Sequence, residues 1–245
     1  MFLDRQNTNR VIFMDGKEAA GRKAIDEIRE GMTVGLGTGS TVYYFLQVLA
    51  EKVAEGLSIT GVATSQKTVK LATEWQIPMK PLNSVDQIDI TIDGADECDP
   101  SLNGIKGGGG ALLYEKLVAK ASKKRVWIVD SRKEVEQLGS FPLPIEVIPF
   151  GWKQVRQAME NKGYRPELRL NEQGEPFVTD AHHYILDLHL RAIQDPASLA
   201  AELDHVTGIV EHGLFVGMTD EILIGYPDGH VGTLSRKDIL RRSGK

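Results

Sequence analysis

Apolar positions along the first half of the chain follow two alternating rhythms, one helical and one strand-like. Ala19, Ala20, Ile25 and Ile28 recur at helical spacing and predict a helix over 15–30, closed by Gly31. A short run at 33–36 predicts a strand, followed by a Gly/Ser/Thr turn and a helical stretch at 42–53. Further strands are predicted at 57–63, 79–82, 88–92 and 125–129, with helices at 66–74 and 111–121. Strands separated by helices imply βαβ units, and so a parallel sheet with right-handed crossovers.

The pattern changes at Phe141-Pro142-Leu143-Pro144. Beyond it, 145–148 reads as a strand and 152–162 as an amphipathic helix. Residues 167–170 and 177–179 flank Asn171-Glu172-Gln173-Gly174, a hairpin signal. A strand at 184–190 and a short helix at 196–203 complete an α+β order, which places a smaller domain at 139–212. Strands at 214–218 and 221–225, then the turn Tyr226-Pro227-Asp228-Gly229, return the chain to the first domain, which comprises 1–138 and 213–245.

The 245 residues, 41% hydrophobic and 26% charged, are enough for a substantial core in one large or two modest domains. With 29 basic and 34 acidic side chains the net charge is -5, so no global basic excess favours nucleic acid. A few local cations can still hold a small anion. The one cysteine, Cys98, excludes an internal disulfide and a Cys-rich zinc site. No apolar run approaches the roughly 20 residues of a membrane span, and Met1 to Gln6 lacks a signal-peptide layout. A soluble cytoplasmic protein with no membrane partner is expected.

In an open parallel sheet, ligands bind outside the carboxyl ends of the strands, and four predicted strands end in polar or glycine-rich loops. Gly35-Leu36-Gly37-Thr38-Gly39-Ser40-Thr41 opens a helix, where N–H groups and hydroxyls suit a phosphate. It lacks the third glycine of a dinucleotide fingerprint and the lysine of a P-loop, and a plain tight turn is the bland alternative. Asp93-Gly94-Ala95-Asp96-Glu97-Cys98-Asp99 crowds carboxylates that repel unless cations, protons or donors intervene. Its spacing is not that of an EF-hand; catalysis, a magnesium site or a solvated acidic turn all fit. Lys106-Gly107-Gly108-Gly109-Gly110 lets consecutive N–H groups face an anion and precedes a helix carrying Glu115. The helical neighbours of Glu115 are Ala111, Leu112, Val118 and Ala119. None can pair with it, so partial desolvation should raise its pKa toward that of a general base; the alternative is a Glu snorkelling to solvent beside Lys116. Asp130-Ser131-Arg132-Lys133 offers a lysine to a substrate anion, although an exposed lysine is more often plain surface.

These motifs, in this order, together with Phe141 to Val147, Gly213-Leu214-Phe215 and Tyr226 to Gly229, resemble the A-type ribose-5-phosphate isomerases over nearly the whole chain. The resemblance implies a Rossmann-like α/β domain with a smaller α+β (ferredoxin-like) domain, assembled as a homo-oligomer, dimer or tetramer, with the small domain at the interface. It implies an enzyme of carbohydrate metabolism in the pentose phosphate pathway, interconverting D-ribose 5-phosphate and D-ribulose 5-phosphate without metal or organic cofactor. The family's substrate-binding runs fall on Thr38, Gly39, Ser40 and Thr41, on Asp93, Gly94, Ala95 and Asp96, and on Lys106, Gly107, Gly108 and Gly109. Its general base falls on Glu115, a substrate-binding lysine on Lys133 and a phosphate contact on Lys17. Departures are small: Arg132 stands where a small polar residue is expected, and the amino terminus is several residues longer.

The reaction passes through an enediolate. Glu115 is expected to move the proton between adjacent carbons, and Lys106 with the glycine-loop N–H groups to stabilise oxygen charge. Asp93 and Asp96 are expected to bind hydroxyls and assist ring opening, and Ser40, Thr41 and Lys133 to hold the phosphate. Rival readings are an amino-sugar phosphate isomerase/deaminase and a non-catalytic sugar-phosphate sensor. The sensor would need an attached DNA-binding helix-turn-helix that no segment here is free to supply. His182, His183 and His189 suggest a metal cluster but are more simply strand residues of the small domain. The basic tail (Arg236, Lys237, Arg241, Arg242, Lys245) is more simply a solvated helix end than a nucleic-acid contact.

Overall fold

The computed structural model describes residues 15–237 and Ile239. Helix α1 (Gly16–Lys23) is capped by the Asp15 carboxylate, which accepts the Lys17 amide. A 3-10 turn at Ala24–Glu27 then leaves Ile28 extended on the way into β1. The expected 15–30 helix is therefore shorter, its last turn tightened as helix ends commonly are. There follow β1 (Thr33–Leu36), α2 (Ser40–Ala54), β2 (Thr60–Ala63), α3 (Gln66–Glu74), β3 (Ile88–Asp93), β4 (Glu97–Cys98), β5 (Gly104–Ile105), α4 (Leu112–Lys120) and β6 (Ser122–Asp130). The second part contributes β7 (Leu143–Val147), α5 (Trp152–Asn161), β8 (Pro166–Leu168), β9 (Tyr184–Leu188), α6 (Pro196–Asp204) and β10 (Ile209–His212). The chain closes with β11 (Leu214–Phe215), β12 (Glu221–Gly225) and β13 (Val231–Ser235).

The large sheet runs β13-β12-β6-β3-β1-β2, parallel throughout except for the antiparallel edge strand β13. Its strands read as apolar runs because helices cover both faces. Val42, Phe45, Leu46 and Leu49 of α2 fall at helical spacing and pack with Val34, Leu36, Ile90, Ile92, Val126 and Ile128. From β1 the chain steps outward to β2, then returns to lay β3 on the other side of β1. The strand order therefore reverses between β1 and β3, and the crevice beyond their carboxyl ends is the expected ligand position. The second sheet is antiparallel, ordered β10-β7-β9-β8 from a β-α-β-β-α-β chain, the ferredoxin-like order. Its own core includes Leu143, Ile145, Val147, Met159, Leu186, Leu188 and Leu203. A three-stranded patch, β11-β5-β4, carries the Lys106 loop against the returning chain. The α/β class with a Rossmann-like sheet and a smaller α+β unit is thus as expected.

Several elements differ from their sequence patterns. No strand forms at 79–82; Met79 makes only a bridge to Gly61, and 82–84 is a 3-10 turn. Pro78 precedes the segment and Pro81 lies within it, and neither supplies a ladder donor. The hairpin around Asn171 shrinks to one bridge, Leu170–Pro176. There the Asn171 side chain accepts the Gln173 and Glu175 amides, and Pro176 cannot donate. The strand expected at 145–148 is shifted to 143–147, and that at 214–218 stops at Phe215. Strand β9 ends at Leu188, so His182 and His183 precede it and His189 follows it. His182 has a left-handed backbone (φ 62). The three histidines do not converge: His183 pairs with Glu146 and His189 with Glu167. Strands β4, β5, β10 and β13 carry no clear sequence signal, being two to five residues long and stabilised by partners distant in the chain. Arg241, Arg242 and Lys245 of the basic tail, like Met1 to Gln6, lie outside the described residues. No helix among the described residues is long and apolar enough to cross a membrane.

Candidate active site

At the reversal between β1 and β3, the two strand ends are tied together. The Gly37 amide donates to the Ile92 carbonyl (2.9 Å), and the Thr38 amide donates to Asp93 Oδ1 (3.0 Å). A Cβ on Gly37 would lie 2.2 Å from that Asp93 oxygen, so only glycine lets the loop approach so closely. The Thr38 hydroxyl joins those of Thr64, Ser65 and Thr68 within 2.8–3.2 Å, linking the ends of β1 and β2. Helix α2 then begins at Ser40 behind Gly39 with no side-chain cap, leaving its first N–H groups for a ligand.

Asp93, Lys106 and Glu115 form a buried chain of charges. Their side chains are 4%, 3% and 6% exposed. Lys106 Nζ lies 3.0 Å from Asp93 Oδ2 and 3.1 Å from Glu115 Oε2, and donates to the Gly94 carbonyl. Its far side faces the Phe215 ring at 5.4 Å. Asp93 also accepts the Thr38 and Gly94 amides. Glu115 Oε2 is close enough to Lys106 for an ion pair but is not aligned for a hydrogen bond, and among the described residues it has no other partner. One ammonium thus serves two carboxylates. Glu115, desolvated and with Asp93 nearby, is pushed up to about 8 against the opposing pull of Lys106. Burial alone would lower the Lys106 pKa, but Asp93 and then Glu115 outweigh it and the net direction is upward. Lys106 therefore stays charged. No partner for Glu115 lies on its own helix, as the sequence suggested; the pairing comes from the loop before it.

A cavity of about 150 Å³ opens above this chain. Thr38, Gly39, Ser40 and Thr41 line it with Gly94, Ala95, Asp96, Lys106, Gly107, Gly109, Glu115, Lys17 and Lys133. Two expected residues, Asp93 and Gly108, do not line it. Asp93 lies one layer beneath, behind Lys106, and Gly108 turns its amide to Asp96 Oδ2 (2.7 Å). Lys133 reaches the rim from a 3-10 turn at Ser131–Lys133, with its ammonium 5.6 Å from the Phe141 ring centroid. Arg132 turns back onto Asp130 at 2.8 Å and leaves the neighbouring lysine to the cavity.

Other contributors escape sequence reasoning. Thr64 and Ser65 stand at the end of β2, where the same strand-end rule would have found them. Arg169, from the segment after β8, donates to the carbonyls of Gly107 (2.8 Å) and Gly108 (3.1 Å), and nothing local in its sequence announces this. Behind the site, Lys116 is buried against Glu211 (2.6 Å) and the His212 carbonyl (2.7 Å), with its ammonium 4.8 Å from the opposite partner of Lys106, Phe215. Asp204, Glu211 and His212 are grouped closely enough to hold a metal, but the Lys116 ammonium already sits among them. Burial pushes His212 down to about 4, with Lys116 adding to the effect.

The family model for ribose 5-phosphate isomerase A (phosphoriboisomerase A) matches residues 60–229. The ribose-5-phosphate isomerase A of Enterococcus faecalis is 50% identical over 217 residues, covering 88% of this chain and 96% of that protein. A solved D-ribose-5-phosphate isomerase in complex with phospho-erythronic acid superposes with a TM-score of 0.87 at 40% identity, covering 90% of this chain and 97% of the other. Ribose 5-phosphate isomerase from Plasmodium falciparum gives 0.86 at 39% identity, covering 90% and 98%.

Proposed function

This chain belongs to the ribose 5-phosphate isomerase A family, and from that premise we propose how its cavity interconverts ribose 5-phosphate and ribulose 5-phosphate. The observation that carries the mechanism is Glu115: a buried carboxylate with an unbonded oxygen, raised to about 8, on the wall of a small polar cavity. A base of that strength is matched to a weakly acidic proton beside a carbonyl at neutral pH.

With the open-chain aldose bound, Glu115 takes the proton from C2. The C2–H electron pair forms the C1=C2 bond, and the C1 carbonyl pair moves onto its oxygen, giving an enediolate. The protonated Glu115 then delivers the proton to C1 on the same face, while a proton passes between the two oxygens and C2 becomes the ketone. The Gly109 amide, without a partner among the described residues, and the charge of Lys106 stabilise the enediolate oxygen. Asp96 lines the cavity and handles hydroxyl contacts and ring opening; Asp93 acts beneath it by holding Lys106. Ser40, Thr41, the first turn of α2, Lys17 and Lys133 hold the phosphate, which fixes the reacting carbons over Glu115. The chemistry needs no metal in this scheme.

We also infer that the chain divides into 1–138 with 213–245 and a smaller part at 139–212, and that copies of it assemble through the smaller part. The support is the core of the second sheet, drawn mostly from 139–212 with Ile105, Leu138 and Leu214 at its border, and an apolar surface beside its edge strand β10, where Phe150 is 91% exposed near Ile148.

Turnover of ribose 5-phosphate with and without EDTA, for wild type and Glu115→Gln, tests the mechanism. Wild type should be indifferent to EDTA, and the variant, still folded by circular dichroism, should be slower by about 10²–10⁴-fold. Near-normal turnover in the variant removes Glu115 from its role; turnover of glucosamine 6-phosphate in place of ribose 5-phosphate would instead favour an amino-sugar enzyme.

A further inference from the structure

The smaller sheet reaches the catalytic loop through hydrogen bonds from one side chain, Arg169, and we propose that Arg169 is the positioning residue that aims the Gly109 amide at the substrate. The inference rests on the mechanism above, in which that amide meets the enediolate oxygen.

Arg169 follows β8 and is held by Asp187 of β9: its Nε donates to Asp187 Oδ2 at 2.8 Å and its Nη2 to Asp187 Oδ1. Both side chains are largely buried, at 15% and 18% exposure. The remaining terminal nitrogen, Nη1, donates to the carbonyls of Gly107 and Gly108. In a trans peptide the C=O and the following N–H point in opposite directions. Capturing the Gly107 carbonyl therefore turns the Gly108 amide the other way, where it meets Asp96. Capturing the Gly108 carbonyl turns the Gly109 amide away from Arg169 in the same manner. Gly109 lines the cavity, and among the described residues its amide has no partner.

Glycines need such an external hold. Gly107 and Gly110 sit at φ 104 and 79, conformations that cost glycine nothing and that it leaves as readily. The turn has one internal bond, from the Gly110 amide to the Gly107 carbonyl; it restrains the two outer peptide planes and leaves the central one, between Gly108 and Gly109, free to rotate. A planar guanidinium oriented by a bidentate carboxylate fixes that plane through the Gly108 carbonyl. Phe177, from the same hairpin, closes over Gly110, where a Cβ would lie 2.5 Å from its ring. The catalytic amide of Gly109 is thus oriented from the smaller sheet, although every group that meets the substrate belongs to the larger part of the chain.

The test is steady-state kinetics on wild type, Arg169→Ala and Arg169→Lys, with inorganic phosphate as a competitive probe of the phosphate end and thermal melts as a check on folding. Arg169→Ala should lose 10-fold or more in kcat, with KM and the phosphate inhibition constant within about threefold of wild type, because binding at α2 is untouched. Arg169→Lys keeps the charge but cannot span two carbonyls and Asp187, and it should fall between; it carries the test if the alanine variant does not fold. Added guanidinium should restore part of the lost kcat in Arg169→Ala. A kcat within twofold of wild type in both variants overturns the proposal, as does a parallel weakening of kcat and phosphate inhibition, which would signal general loosening. An inactive wild type, or a fully active Glu115→Gln, would sink the underlying mechanism instead.

Discussion

Glu115 and Asp93 compete for one ammonium, and their other contacts decide the outcome. Asp93 accepts two backbone amides beside its ion pair with Lys106 at 3.0 Å, whereas Glu115 Oε2 has only the ion pair with Lys106 at 3.1 Å among the described residues. Glu115 is therefore pushed up to about 8, by burial first and by Asp93 second. Two consequences can be measured together. Activity requires the ionised carboxylate, so kcat/KM should climb with pH through the neutral range toward about 8, above the phosphate ionisation near pH 6. A limb that levels off by pH 6 would assign the titration to the substrate. For stability the sign is opposite. The folded chain holds a proton that the unfolded chain has released above 4.5, so this contribution is full below 4.5 and is lost as pH rises to about 8. Glu115→Gln should flatten that decline in denaturant titrations across the same window.

At the scale of elements, the site depends on how closely β1 and β3 end beside one another. Gly37 is where the two meet: an added Cβ would stand 2.2 Å from Asp93 Oδ1 and 2.6 Å from its Cα, and backbone cannot swing aside as a side-chain tip can. Gly37→Ala should therefore cost about 1–3 kcal/mol in a urea titration and reduce turnover by more than its effect on folding explains, because Asp93 carries Lys106 with it. Gly94→Ala is the contrast, since a Cβ there meets only the Thr38 carbonyl at 3.6 Å. Equal stability losses in the two variants would show that the close approach is not what requires glycine at 37. The same scale explains the misjudged segments. Prolines and Asx turns cut short the runs near Met79 and Asn171, and apolar alternation alone does not register a missing donor.

For the whole molecule, the two sheets are joined where chemistry needs them joined: Arg169 onto the glycine loop, and Lys116 of α4 onto Glu211 of β10. Phe150 and Ile148, with Val210 of β10, leave an apolar surface on the smaller sheet that a lone copy would expose to water. Sedimentation velocity should find a dimer or tetramer at micromolar concentration, and Phe150→Ser should shift the population toward smaller species. A wild-type monomer would dispose of the assembly, and an unshifted oligomer in the variant would move the interface elsewhere.

Much of this was already legible in the linear chain. Helical and strand periods placed β1, β3, β6, β9, β12 and all the helices but the end of α1 within a few residues, because those signals come from local burial of apolar faces. The strand-end rule and the family resemblance pointed to Thr38–Thr41, Asp93–Asp96, Lys106–Gly109, Glu115 and Lys133, since glycine and charge are conspicuous at the end of an apolar run. What only the tertiary structure decided were relations across the chain. It put Lys106 between Asp93 and Glu115, set Asp93 beneath the cavity rather than in its wall, and brought Arg169 some sixty residues along the chain to the glycine carbonyls. Local patterns record whether a side chain meets water or apolar surface; hydrogen-bond direction and the sharing of one charge by two partners depend on coordinates that no short stretch of sequence contains.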